Sequence, residues 1–206
     1  KARDSMRFIG ITGGVGAGKS KILQYIKRHY RCEVYLADEA AHLVKLPGTD
    51  CYRALVELMG RDILTADGQI DKPAMAGRIF GDPELLQKVN AIIHPAVKRY
   101  LLGKYEEAKG RGDVELFFVE AALLIECGYG QLVDEMWYIH AEEPVRYARL
   151  SDARGYDEEK IRQIMGQQLS EDAFRKNSDF VIDNSGSFEE TRRQIDKKLE
   201  AFTWQE

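Results

Sequence analysis

Gly13, Gly18, Lys19 and Ser20 stand in the spacing G-x-x-x-x-G-K-S, and the chemistry this spacing supports is the holding of a phosphate chain. Glycines let consecutive backbone N–H groups turn toward one anion. A helix starting on the last glycine adds its own unpaired N–H groups and the positive end of its dipole. The lysine that follows reaches the outer phosphates, and the hydroxyl after it, Ser20, is placed to ligate Mg²⁺. Gly14, Val15, Gly16, Ala17, Gly18, Lys19, Ser20 and Lys21 are therefore the candidate nucleotide contacts. The flanks agree: F-I-G-I-T at 8–12 reads as a buried strand, and Ile22, Leu23 and Ile26 share one face of a following helix. A turn that only capped a helix would not need so many glycines, each of which costs chain entropy.

The loop by itself leaves open whether the nucleotide is hydrolysed, read as a signal or used as a phosphoryl donor. A guanine-reading N-K-x-D is missing where later strands end, at H-A-E-E (140–143) and D-N-S-G (183–186). Glu120, closing the apolar run 117–120, is the carboxylate that suits hydrolysis. Asp38, after the second apolar run, is the carboxylate that suits a kinase acting on a small molecule: an attacking hydroxyl must lose its proton, and a carboxylate within hydrogen-bond reach accepts it. The alternative at this position is an Asp that caps a helix over 39–44.

These residues need elements to hold them. Five short apolar runs, at 8–12, 34–37, 116–119, 136–140 and 180–182, have strand character without strict alternation and are separated by helical patterns. That is the pattern of a doubly wound α/β fold, a five-stranded parallel sheet with helices on both faces, whose ligands sit at the carboxyl ends of the strands. The stretch 38–112 is too long for one crossover helix and reads as an inserted helical subdomain, with helices over 52–59 and 85–105 and turns at Pro47-Gly48 and Asp67-Gly68. A second insertion, 146–177, is rich in Arg, Glu and Gln and reads as a mobile, solvated helical pair. The core is then 6–37, 113–145 and 178–206. Ser187 and Glu190 form a capping box that opens a last helix over 187–202.

With 34 acidic and 30 basic side chains the net charge is −4, which excludes a general nucleic-acid footprint and means that any bound anion is held locally. No apolar run approaches the length a membrane helix needs. Cys32, Cys51 and Cys127 are odd in number and lack metal-type spacing, so the expectation is buried, reduced thiols in a cytoplasmic chain. Residues 1–5 precede Met6 and enter no argument.

The order of motifs resembles the dephospho-CoA kinase family across nearly the whole chain. The opening M-R-F-I-G-I-T-G-G-V-G-A-G-K-S (6–20) is followed by V-Y-L-A-D-E-A-A-H (34–42), L-P-G-T (46–49), D-G-Q-I-D-K (67–72), I-F (79–80), I-I-H-P (92–95), A-L-L-I-E (122–126) and F-V-I-D-N-S-G-S (180–187). The resemblance implies a P-loop kinase fold with a core, an acceptor-binding insertion (38–112) and a lid (146–177) that closes over ATP. It implies transfer of the ATP γ-phosphate to the 3′-hydroxyl of dephospho-CoA, the last step of coenzyme A formation, with Mg²⁺. The implied catalytic residues are Asp38 as base, Lys19 and lid Arg149. Asn184 joins the ATP contacts, with Gln167 beside it, and His94 and Leu123 join Asp38 as acceptor contacts. His94 has an ordinary structural reading in a helix, and Arg146, Arg149 and Arg154 one as a solvated helix face. Against the family pattern, Leu36, Ala122 and Lys72 are departures, and Ala153 falls where a lid arginine is usual, leaving Arg154 one residue late. The implied partners are ATP and dephospho-CoA, in a monomer or weak homo-oligomer without nucleic acid or membrane. The rival readings are a P-loop kinase acting on a nucleoside monophosphate and a non-catalytic ATP-binding switch.

Overall fold

The computed structural model describes residues 6–202. Among them β1 (Arg7–Thr12), β2 (Cys32–Leu36), β3 (Leu116–Glu120), β4 (Glu135–His140) and β5 (Phe180–Asp183) form one parallel sheet in the order β2-β3-β1-β4-β5. All five apolar runs are strands, with ends that differ by one or two residues. Burial in β1, β3 and β4 is nearly continuous rather than alternating. Successive side chains point to opposite faces, so continuous burial means both faces are covered. The edge strands β2 and β5 are only partly buried. Rings knit the sheet across its strands: Phe8 meets Phe117 edge-on at 5.2 Å, and Trp137 contacts Phe118 at 5.7 Å and Phe180 at 5.2 Å.

Nine α-helices are found among the described residues: α1 (Lys19–His29), α2 (Ala37–Val44), α3 (Asp50–Met59), α4 (Lys72–Ile79), α5 (Pro83–Arg111), α6 (Glu143–Arg154), α7 (Glu158–Gly166), α8 (Glu171–Lys176) and α9 (Phe188–Leu199). Helix α1 buries Ile22, Leu23 and Ile26, as their spacing predicts. It is tied to α9 through Asp196, whose carboxylate accepts from the Tyr25 hydroxyl at 2.7 Å and the Tyr30 hydroxyl at 2.5 Å. Helix α9 opens with the expected capping box: Ser187 accepts from the Glu190 N–H, and the Glu190 carboxylate accepts from the Ser187 N–H.

The chain divides into two compact units, one made of the residues up to Val34 together with those from Ala108 onward, the other Tyr35–Glu107. The second unit has its own apolar core, in which Leu55 and Ile63 are fully buried and Cys51, Met59, Val89 and Ala96 nearly so. Its helices are punctuated by side-chain caps, Thr49 for α3 and Asp71 for α4. The turn at Asp67-Gly68 joins Leu64 to Ile70 in an antiparallel bridge.

Two expectations are corrected here, and one alternative is removed. The polar segment 146–177 holds three helices rather than a pair; most of its residues are exposed, but α6, α7 and α8 each seat one buried side chain, Leu150, Ile161 and Phe174. One large apolar residue per short helix is enough to seat it, and a window dominated by Arg, Glu and Gln hides so sparse a signal. Asp38 does not cap its helix. Helix α2 begins at Ala37 after Leu36, with no side-chain cap, and Asp38 is its second residue. All three thiols are free as expected, but only Cys51 is buried; Cys32 and Cys127 are half-buried. No helix among the described residues is long and apolar enough to cross a membrane.

Candidate active site

The central strand β1 runs between β3 and β4 and delivers its carboxyl end to the glycine loop. Loop and helix join at Gly18, which precedes α1 in the left-handed region at φ 89° and supplies no side-chain cap. Helices α3, α4, α7, α8 and α9 have an accepting side chain at that position, whereas α1, like α2 and α6, begins without one. A phosphate is the group that fits there.

Gly13 is needed for close approach. A Cβ at this position would lie 2.5 Å from the backbone oxygen of Ile139 in β4, and its φ of 155° is one side chains rarely adopt. The obstacle is backbone, so no rotamer relieves it. Gly13→Ala is expected to lower the melting temperature by roughly 5–10 °C, from a strain of about 2–3 kcal/mol in a chain of this size. Calorimetry checks this, and a variant melting within 2 °C of the parent would show that β1 and β4 part freely at this point.

Lys19, Arg149 and Arg146 each donate to carbonyl oxygens of the loop. Lys19 Nζ donates to Gly13 O at 2.7 Å and Gly14 O at 3.3 Å, and stands 4.0 Å from the Glu120 carboxylate. Glu120 reaches this point because β3 pairs it with Ile11, near the end of β1. Arg149 on α6 donates from Nη1 to Gly16 O at 3.2 Å and Ala17 O at 3.1 Å, and from Nη2 to Asn184 O at 2.7 Å. Asn184, buried just past β5, donates its amide to Ala17 O at 2.7 Å and accepts from the Thr191 hydroxyl at 2.7 Å. Arg149 and Asn184 thus brace the far half of the loop from two elements.

Arg146, one turn earlier on α6, donates from Nε to Val15 O at 3.0 Å and from Nη2 to the Gln168 side-chain oxygen at 2.6 Å. That oxygen also accepts from the Val15 N–H at 3.2 Å. Burial is the main influence on the Arg146 guanidinium and draws its pKa downward. Gln168 was not among the sequence candidates; the neighbouring Gln167 was, and it ends α7 with an exposed side chain. A one-residue choice between two glutamines at a helix end has no periodic signal to decide it.

The remaining candidates are placed as follows. Ser20 is exposed in the first turn of α1. The Lys21 ammonium lies 4.4 Å over the Phe188 ring. Leu123 is 51% exposed in the turn after β3. Arg154 ends α6 and faces the Tyr156 ring at 5.9 Å. Asp38 and His94 are exposed on α2 and α5 in the Tyr35–Glu107 unit, with His94 next to Pro95, which sits inside α5. The structure therefore gathers the loop, Lys19, Arg149, Arg146, Gln168, Asn184 and Glu120 in one unit, and carries Asp38 and His94 in the other.

The family model described as dephospho-CoA kinase matches residues 7–190, a span that takes in the glycine loop, Asp38, Arg149 and Asn184. The chain belongs to the dephospho-CoA kinase family. A dephospho-CoA kinase of Geobacter metallireducens is 35% identical over 190 residues, covering 92% of this chain and 94% of that protein. The crystal structure of TT1252 from Thermus thermophilus, 27% identical, superposes with a TM-score of 0.81 over 98% of this chain and 100% of that one. The dephospho-CoA kinase from Campylobacter jejuni, 18% identical, shares the fold with a TM-score of 0.71 over 95% of this chain and 96% of its own. Against the dephospho-CoA kinase family the sheet order, the loop and the braces of this chain read as a P-loop kinase fold.

Proposed function

We propose that this chain transfers the γ-phosphoryl group of ATP to the 3′-hydroxyl of dephospho-CoA, giving coenzyme A and ADP. The observation that carries the reading is the phosphate cradle of Gly13–Ser20 with Lys19 and Arg149 converging on it, in a chain matched by the dephospho-CoA kinase model over residues 7–190. Lys19 and the loop N–H groups bind the phosphate chain, and Arg149, permanently charged and delocalised, meets charge that develops on the transferring group. Asn184 holds the loop backbone under the nucleotide. Asp38 takes the proton of the attacking hydroxyl; it is free to do so because it caps no helix. The insertion 38–112 binds the acceptor, with His94 among its contacts and Leu123 as a contact from the core, and 146–177 serves as the lid.

Mg²⁺ fits the residues at the start of α1. Among the described residues no cluster of three or more His, Cys, Asp or Glu could hold a metal ion. A hard cation here would take the exposed Ser20 hydroxyl and draw its other ligands from phosphate oxygens and water, as Mg²⁺ does. Bound so, it would neutralise charge on the outer phosphates. Three free thiols suit a reducing cytoplasm, and the same reading has the enzyme act as a monomer or weak homo-oligomer.

The test is ADP release measured with dephospho-CoA, with nucleoside monophosphates and with water alone. Dephospho-CoA is expected to be the acceptor that accelerates release. Equal rates with dephospho-CoA and with water would sink the proposal, and faster release with a nucleoside monophosphate would move the enzyme to another acceptor class.

A further inference from the structure

The Tyr35–Glu107 unit holds a small cleft lined by His42, Lys45, Leu46, Gln69, Ile70 and Lys72, with no carboxylate in its wall. Three of those six side chains are basic, and none of the three has an ion pair among the described residues. The nearest acid in sequence, Asp71, is occupied, its carboxylate accepting from the Ala74 N–H to cap α4. Lys45 is half-buried, and its pKa lies below the ordinary value, first through burial and then through the Lys72 ammonium that shares the cleft. Two like charges facing one partly desolvated cleft repel each other. An anion is the occupant that relieves both.

Helix α2 fixes where that anion lies relative to Asp38. Lys45 closes α2, seven residues after Asp38. Seven residues are two turns, so the two side chains share one face of the helix about 10 Å apart along the axis. His42, four residues from Asp38, stands between them on that face. The Asp38 carboxylate is close enough to act on the Lys45 charge. A carboxylate at one end of a helix face and a basic cleft at the other match a ligand with a hydroxyl at one end of a ribose and phosphates at the other.

We infer that Lys45 and Lys72, with His42 beside them, form the subsite for the diphosphate of the acceptor, holding it so that the ribose 3′-hydroxyl lies at Asp38. This rests on the dephospho-CoA reading above and extends it to the part of the acceptor that does not react. The subsite selects an adenosine carrying a 5′-diphosphate over one without, because only the former fills the cleft with charge. Binding energy from that remote group then fixes the hydroxyl for attack.

The experiment compares dephospho-CoA with adenosine, which offers the same 3′-hydroxyl and no diphosphate, for the parent protein and for Lys45→Gln, Lys72→Gln and Lys72→Arg. Lys45→Gln and Lys72→Gln are each expected to lower kcat/KM for dephospho-CoA by about ten- to a hundredfold, the value of a charge-assisted hydrogen bond. Adenosine turnover and the KM for ATP stay within twofold of the parent, and Lys72→Arg retains most of the dephospho-CoA activity. Both acceptors unchanged in the Gln variants, or both falling together, would overturn the subsite. If the parent itself releases no ADP with dephospho-CoA, the functional reading has failed rather than the subsite. Calorimetric titration of dephospho-CoA then decides the latter: binding weakened tenfold or more in Lys45→Gln upholds it, and equal binding overturns it.

Discussion

Asp38→Asn is expected to lower turnover with dephospho-CoA by about 10²–10⁴-fold while ATP affinity stays within twofold of the parent. The substitution keeps the size and polarity of the side chain and removes its capacity to take a proton. Its structural cost is small, because Asp38 is exposed and is not a cap, so no backbone N–H loses a partner. A surface change of this kind costs within about 0.5 kcal/mol. The proposed phosphate ligands Lys19, Arg149 and the loop N–H groups lie in the other unit of the chain, which is why nucleotide binding should survive. Single-turnover ADP release and equilibrium ATP binding separate the two effects. Near-parental turnover would strip Asp38 of the base role. Loss of ATP binding together with turnover would point to a structural role.

Lys19→Ala should cost about 10²–10³-fold in kcat, the scale on which one preorganised charge donor stabilises a transition state. Lys19 donates to Gly13 O and Gly14 O and lies 4.0 Å from Glu120, so its ammonium is held at the loop. Lys19→Arg should not rescue, because a planar fork cannot replace a compact point charge among three closely set oxygens. A kcat within threefold of the parent for Lys19→Ala would show that Arg149 and Arg146 carry the phosphate charge without it. A melting temperature measured alongside distinguishes that outcome from loop collapse.

Much of this was legible in the residues. The glycine loop, the five strands and the burial of Ile22, Leu23 and Ile26 all depend on local pattern, and local pattern is what a sequence displays. The early part of β2 was missed because Cys32 and Glu33 lie at a sheet edge, where burial is partial and hydrophobic runs break up. The three-helix packing of 146–177 was hidden for a different reason: its seating depends on single residues, Leu150, Ile161 and Phe174, each set among charged neighbours. Gln168 was illegible in principle. Its hydrogen bond to Val15 joins residues 153 positions apart, and nothing near either one announces the other. The basic cleft likewise joins Lys45 to Lys72 across two helices of the insertion. Asp38 was visible as a carboxylate, and Leu36 in the capping position removes the reading of it as a helix cap.

The loop's carbonyl oxygens engage Lys19, Arg146 and Arg149 one by one. Binding of the phosphate chain as proposed would exchange these peptide carbonyls for phosphate oxygens. Chloride or orthophosphate can answer only part of what it would displace. A triphosphate has oxygens enough to meet several of the three cations at once.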